Sequence, residues 1–409
     1  MLPRGRIDIG WSDLVFALRL RSSEAHSKIE QRIERIWCPG QTLVTLSVRT
    51  GFDALLQALD LPQGSEILVS AITIRDMVRV IEAHGLVPIP IDLDMDTLSV
   101  KRDLIERNIT PQTKAILIAH IFGSRMPLDG IASLARKHDL LLIEDCAQSF
   151  SAQDDRGFAG ADVSMFSFGP IKTNTALAGA VLTIRDPELL ACTRGIVATY
   201  PQQDAVHFRK RVMKYMGIKA ISNPTLYGLM ALGSRAAGKT HDDVVSHALR
   251  GFPGSDLLSR IRMRPSTPLL ALLERRLRTF NARNVERRID RARCLDALIP
   301  DVDQPGKMSS HHTYWVFPIR VSDPDTLMRE LWSKGFDATR GASSLAVVEP
   351  PLGRPETEPI EARQTMDHLL YLPISPLVRK RDLERLALVV NEELFPLTSS
   401  SRSRLPIQM

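Results

Sequence analysis

Residues Ser164 to Thr183 read SMFSFGPIKTNTALAGAVLT. Two short apolar runs flank a loop of Gly, Pro, Ser, Thr and Asn that holds one lysine, Lys172. Upstream, Leu140 to Phe150 read LLLIEDCAQSF. A buried-strand pattern there runs straight into two carboxylates, Glu144 and Asp145, and then Gln148. Lys172 follows Asp145 by 27 residues. An acid closing one strand and a lysine in the loop after the next are what a pyridoxal phosphate site requires. The acid keeps a pyridine nitrogen protonated so that the ring draws electrons, and the lysine amine forms the Schiff base.

Outward from these stretches, short apolar runs alternate with helical patterns of about ten residues. TLVTLS (42–47) is a strand, followed by a turn at Thr50-Gly51 and a helix from Phe52 to Leu59. Further strands are expected at Glu66–Ser70, Val87–Asp92, Ala115–His120 and Leu140–Ile143. Helices are expected at Ile74–His84, Val100–Asn108 and Leu128–His138. Such alternation predicts right-handed crossovers and an α/β fold with a large, mostly parallel, doubly wound sheet. Ligands in these sheets sit beyond the carboxyl ends of the strands, and His120, Asp145 and the Thr50 turn fall at such ends.

After Asp186 the alternation stops. The expected organisation is an N-terminal arm (1–37) with one helix at Ser23–Trp37, then a large domain (38–199). A basic inserted segment (200–275) precedes a helix with a smaller C-terminal α+β domain (276–395) and a disordered tail (396–409). In the smaller unit, strands at Tyr314–Val321 and near Ala338 accompany helices at Asp325–Lys334 and Arg379–Leu394.

The 409 residues suffice for two domains, and 44% hydrophobic with 24% charged residues is ordinary for a soluble protein. No apolar window is long enough to span a membrane, and no secretory leader is read, so a cytoplasmic location is expected. The four cysteines (Cys38, Cys146, Cys192, Cys294) lack CxxC spacing, which suits a reducing compartment and no zinc site. The net charge of +6 is local: Tyr200 to Arg275 hold twelve Lys/Arg against five Asp/Glu, and the remainder is near neutral. Residues 200–261 are expected to serve the substrate rather than the cofactor: basic residues beside the apolar stretch Ile218–Leu232 suit an anionic membrane surface, an amphiphilic acceptor, or a lid or dimer-interface elaboration. With few aromatics and no recognisable module, the segment is not read as a nucleic-acid site.

EDCAQ (144–148), FSFGPIK (166–172), LPQGSEILVSAIT (61–73), NITPQTKAILIAHIFG (108–123) and YLPISP (371–376) occur in order and spacing that resemble the DegT/DnrJ/EryC1/StrS family. These are pyridoxal phosphate (PLP)-dependent sugar aminotransferases of the aspartate aminotransferase-like fold, fold type I. The resemblance covers roughly residues 30–199 and 262–395. It implies that Lys172 carries PLP, Asp145 pairs the ring nitrogen, Gln148 faces the ring hydroxyl and Ser167 the phosphate. It also implies a homodimer, a glutamate or glutamine amino donor and a ketone acceptor such as a keto-sugar.

The chain departs from the family pattern on the substrate side. The phosphate turn reads Thr50-Gly51-Phe52-Asp53, and Ile74 stands where an aromatic commonly stacks on the ring. Arg262-Met263-Arg264 aligns with a segment that reaches the partner subunit's phosphate, and TRGASS (339–344) lacks an expected histidine. Thr50 and Gly51 either cradle phosphate or only make the turn, Arg262 and Arg264 either bind phosphate or are solvated, and His120 either contacts a substrate or only ends its strand. Alternatives to amino transfer are sugar dehydration, in which histidine replaces the lysine, and a non-catalytic PLP-bound regulator. Lys172 argues against the first, and the altered turn supports the second.

Overall fold

The alternating apolar runs form a seven-stranded sheet in the computed structural model, which describes residues 1–5, 7–20, 25–236, 242, 256–341 and 344–395. The expected tail, 396–409, and part of the basic segment lie outside the described residues. The strands in chain order are β1 (Thr42–Thr45), β2 (Glu66–Ser70), β3 (Ile72–Ile74), β4 (Val87–Ile91) and β5 (Leu93–Asp94). They continue with β6 (Ser99–Val100), β7 (Thr113–Ala119), β8 (Leu141–Asp145), β9 (Val163–Ser167) and β10 (Ala180–Ile184). The sheet order is β1-β10-β9-β8-β7-β2-β4, parallel except where β10 meets β1 and β9.

Because crossover helices cover both faces, the strands are apolar at nearly every position. Leu68, Ile116 and Ile118 point into one core, while Ile67, Val69 and Leu117 point into the other, the period of two that a pleated strand imposes. The helices are α1 (Trp11–Arg19), α2 (His26–Trp37), α3 (Val48–Leu59), α4 (Arg75–Ala83), α5 (Arg102–Asn108), α6 (Asp129–Lys137) and α7 (Pro187–Thr199). Two more, α8 (Ala205–Ile221) and α9 (Pro224–Ala236), occupy the basic segment.

The first sheet-to-helix connection differs from expectation. Helix α3 starts at Val48, because Ser47 caps it and accepts the Thr50 amide on its hydroxyl at 3.2 Å. Thr50 is buried and donates its hydroxyl to the Ile261 carbonyl at 2.8 Å, and Gly51 lies inside the first turn. A Cβ on Gly51 would fall 2.5 Å from a Leu182 methyl, so this glycine is required by helix-on-sheet packing. Thr50 and Gly51 therefore face the protein interior and do not form the anion cradle that the turn suggested.

Arg262 is likewise claimed by the fold. Its guanidinium grips the fully buried Asp53 of α3 through two 3.0 Å bonds. Burial alone would raise the Asp53 pKa, but hydrogen bonds from His84, Arg262 and Tyr200 hold it at about 2. Arg264 donates to the Tyr200 carbonyl at 3.0 Å. Both arginines thus fasten the 256–264 segment to α3 and the end of α7 rather than reaching for a phosphate.

A smaller unit pairs Phe317–Arg320 antiparallel with Leu369–Leu372, under the helices Pro324–Ser333 and Lys380–Leu394. Its first strand begins at Phe317 rather than Tyr314, which adopts a left-handed φ of 48°. The strand expected near Ala338 is a single bridge between Thr339 and Tyr371. Leu345–Val347 pairs with β3 in a separate two-stranded sheet and so ties the smaller unit to the large domain. The arm preceding α2 contains a helix, α1, that the sequence pattern did not suggest. Asp13 of α1 binds Arg275 at 2.7 Å and Arg276 at 2.9 Å. Nearer its start, Leu2 bonds Gly335 and Arg4 forms a bidentate pair with buried Asp337.

Two outcomes follow from these contacts. Gly51→Ala overpacks Leu182 and lowers unfolding stability by about 1–3 kcal/mol, measured by denaturant titration; wild-type stability in that variant contradicts the packing role. Arg262→Ala strands the Asp53 charge and costs about 2–3 kcal/mol, less than a fully buried pair because Arg262 is partly exposed. The folded Asp53 pKa of about 2 lies below its ordinary 3.8. Its contribution is therefore present above about pH 4 and lost as pH falls through about 2, and acid unfolding of the two proteins should converge there.

Candidate active site

Asp145 ends β8 and is buried, with one carboxylate oxygen accepting the Ala147 amide at 2.9 Å. Burial raises its pKa, and the charges of Lys172, His120 and Arg49 oppose the rise. Lys172 lies in the tight loop after β9, where its amide bonds the Gly169 carbonyl at 3.1 Å. Loss of solvent lowers its amine pKa to about 8, with Asp145 pulling the other way and Arg49 adding to the fall. The Lys172 Nζ stands 4.2 Å from the centre of the Trp315 ring, and that indole donates to the Ile171 carbonyl at 2.9 Å. The structure thus brings the two central sequence candidates together and adds Trp315 and Arg49. Arg49 is also paired with Asp76 at 2.7 Å.

Two cavities flank this centre. The first, about 320 Å³, is lined by Ser47 and Arg49 at the start of α3 and by Ser167 and Gly169 after β9. Across it, α8 presents His207, Lys210, Arg211 and Lys214, spaced so that they share one helical face. A helix N-terminus, two hydroxyls and this row of basic side chains, among them the cations Lys210, Arg211 and Lys214, make a donor set suited to a phosphate dianion. The residues present therefore fit the phosphate end of PLP, with Ser47 and α8 in the place that Thr50, Gly51 and Arg262 were expected to fill. Arg209 and Arg211 bond the carbonyls of Leu20 and Leu177. Arg209 and Arg211 thus also fasten α8 to neighbouring parts of the chain. Among the described residues no helix is long and apolar enough to cross a membrane.

The second cavity, about 290 Å³, opens on Lys172 and Trp315 and is walled by Ile218 and Ile221 of α8 and Met230 of α9. Arg288, from the helix Arg283–Leu298, also lines it.

Gln148 is buried and accepts the Phe122 amide on its side-chain oxygen at 2.9 Å, which leaves its NH2 to donate. His120 is fully buried and does not reach a substrate. Its Nδ1 accepts the Met126 amide and its Nε2 lies 2.9 Å from Glu144. Glu144 also accepts the Ser164 hydroxyl and the Phe158 amide; burial alone would raise its pKa, but the bond with His120, the nearby Arg125 charge and the Phe158 amide hold it at about 2. Ile74 is half-buried and pairs with Leu345, so no aromatic ring stands at that position. Trp315, Arg49, Arg288 and the α8 cations carry no local motif; the one available signal was the positive charge excess of the 200–275 segment.

The model of the DegT/DnrJ/EryC1/StrS aminotransferase family matches residues 21–391. Over 153 residues the chain is 36% identical to the UDP-N-acetyl-3-dehydro-alpha-D-glucosamine 3-aminotransferase of Acidithiobacillus ferrooxidans, covering 36% of this chain and 42% of that protein. It is 35% identical over 136 residues to GDP-perosamine synthase of Escherichia coli O157:H7, covering 33% and 37%. The chain therefore spans about two fifths of the length of these curated relatives. The aminotransferase TlmJ from Streptoalloteichus hindustanus shares the fold with a TM-score of 0.69 at 18% identity, over 95% of this chain and 98% of that one. With a family match across most of its length, the chain belongs to the DegT/DnrJ/EryC1/StrS aminotransferase family.

Proposed function

We propose that the chain is a PLP-dependent aminotransferase that moves an amino group from an amino acid to a ketone, a keto-sugar or a related molecule. The observation that carries this reading is that buried Asp145 at the end of β8 and Lys172 in the loop after β9 feel one another's charge, beside a cavity lined by Ser47, Ser167 and the basic side chains of α8. When bound, PLP supplies an electron sink for charge developing at the substrate carbon. Asp145 places a negative charge where a protonated ring nitrogen is stabilised. The free NH2 of Gln148 is the donor for a ring oxygen. Ser47, Ser167, the first amides of α3 and the α8 cations hold the phosphate.

Lys172, with its amine pKa near 8, has an appreciable neutral fraction close to neutral pH and so can both take and return a proton at the substrate carbon. The face of Trp315 stabilises the ammonium form, limiting how far that pKa falls. The apolar side chains from α8 and α9 make up part of the wall around the amine. Lys172 itself favours amino transfer over the dehydration alternative.

Borohydride reduction of the cofactor-loaded protein should fix PLP covalently on the peptide containing Lys172, and Lys172→Ala should prevent it. Label recovered on a different lysine overturns the assignment. The assembly we expect is a pair of identical chains, for which exposed Met213, Leu226 and Leu229 on α8 and α9 offer apolar surface. A single-chain mass by sedimentation at micromolar concentration would exclude it.

A further inference from the structure

We infer that Arg288 is the carboxylate-binding residue of the Lys172 cavity, holding the amino donor through its α-carboxylate. This rests on the amino-transfer reading above. Arg288 is 9% exposed, and two of its nitrogens are fixed by the protein. Its Nε donates to the Thr313 carbonyl at 2.8 Å and its Nη1 to the Thr173 hydroxyl at 3.3 Å. Its Nη2 is buried and has no hydrogen-bond partner among the described residues. A guanidinium presents its donors in a rigid planar fork, and a buried donor left unmet is costly, so this edge is poised for an acceptor that the chain does not supply.

The charge is as incompletely met as the hydrogen bonds. Burial lowers the Arg288 pKa to about 10, and only the more distant charge of Asp8 opposes it. Asp8 already accepts the Asn174 amide at 2.7 Å. The other arginine lining the same cavity, Arg4, is neutralised by Asp337 and Asp242. Arg288 is thus the arginine of this cavity left to receive an anion.

Position identifies which anion. Arg288 is anchored to Thr173, the neighbour of Lys172, and both line the cavity into which the amine opens. An α-amino acid carries its carboxylate two bonds from the nitrogen that must reach the Lys172 position. The phosphate of a sugar substrate lies many bonds from its ketone and would require a longer, more polar cavity. The walls here are in large part apolar (Ile171, Ile218, Ile221, Met230 and Ile374), with Arg4, Asp8, Thr173, Ser222 and Ser375 as further polar lining. A planar carboxylate against a guanidinium edge also gives the charge-assisted geometry that fixes orientation.

The test uses the cofactor-loaded protein and its Arg288→Gln and Arg288→Lys variants, following the absorbance change on adding L-glutamate, L-glutamine or L-alanine. Arg288→Gln should raise the half-saturating donor concentration roughly ten- to hundredfold, the loss of one charge-assisted bond. Arg288→Lys should recover part of it. Ethylamine, which has no carboxylate, should react equally with all three. In the wild type, propionate should compete with the donor while propionamide does not, a measurement that stands if a variant fails to fold. Unchanged donor half-saturation in Arg288→Gln, equal inhibition by acid and amide, or competition by inorganic phosphate but not propionate overturns the inference. Failure to fix PLP on wild-type Lys172 overturns the amino-transfer reading instead, so the two failures are separable.

Discussion

A carboxylate buried at the end of a central strand is expensive, and the site is arranged around keeping Asp145 there. The register of β8 with β7 and β9 fixes its position: Ala119 stands opposite Asp145 on one side and Met165 on the other. One backbone amide and the charges of Lys172, His120 and Arg49 act against the burial cost. The same proximity works on the lysine, because burial depresses its amine while Asp145 limits the fall. Each group therefore sets the protonation of the other, and neither would have useful chemistry if moved to the surface.

Helix α8 joins this centre to both cavities. Phe208, Val212 and Tyr215 bury one face in the core shared with α1 and the helix Thr267–Arg278. Its other side carries the cations at the Ser47 cavity, and its last turns place Ile218 and Ile221 in the wall of the Lys172 cavity. The local excess of positive charge thus belongs in part to one helix that bears on two adjacent sites.

The large sheet was legible because every strand is buried on both faces and every crossover helix is amphipathic, so composition and periodicity agree along the chain. Asp145 and Lys172 were legible because an acid ending an apolar run and a lysine in a small-residue loop break those patterns. Thr50, Gly51, His120 and Arg262 were the same kinds of residue at plausible places, and pattern alone could not tell inward from outward. Whether Thr50 meets a ligand or the Ile261 carbonyl is decided by a segment 211 residues away. Trp315, Arg288 and the α8 row escaped for the same reason: tertiary packing over more than thirty positions of sequence brings the first two to the Lys172 cavity and the third to the Ser47 cavity. Helix α1 escaped because its stability comes from Asp13 meeting Arg275 and Arg276.

The bond between Arg4 and Asp337 joins positions 333 apart in sequence. Arg4 also lines the cavity at Lys172, as do its neighbours Pro3 and Gly5. During synthesis Arg4 must therefore wait for its Asp337 partner until residue 337 has been made. The large sheet, complete by Ile184, can form long before that point. The wall of the Lys172 cavity is consequently among the last parts of the molecule to close, and a chain interrupted before residue 337 would lack the Arg4–Asp337 bond and the contribution of Ile374 to that wall.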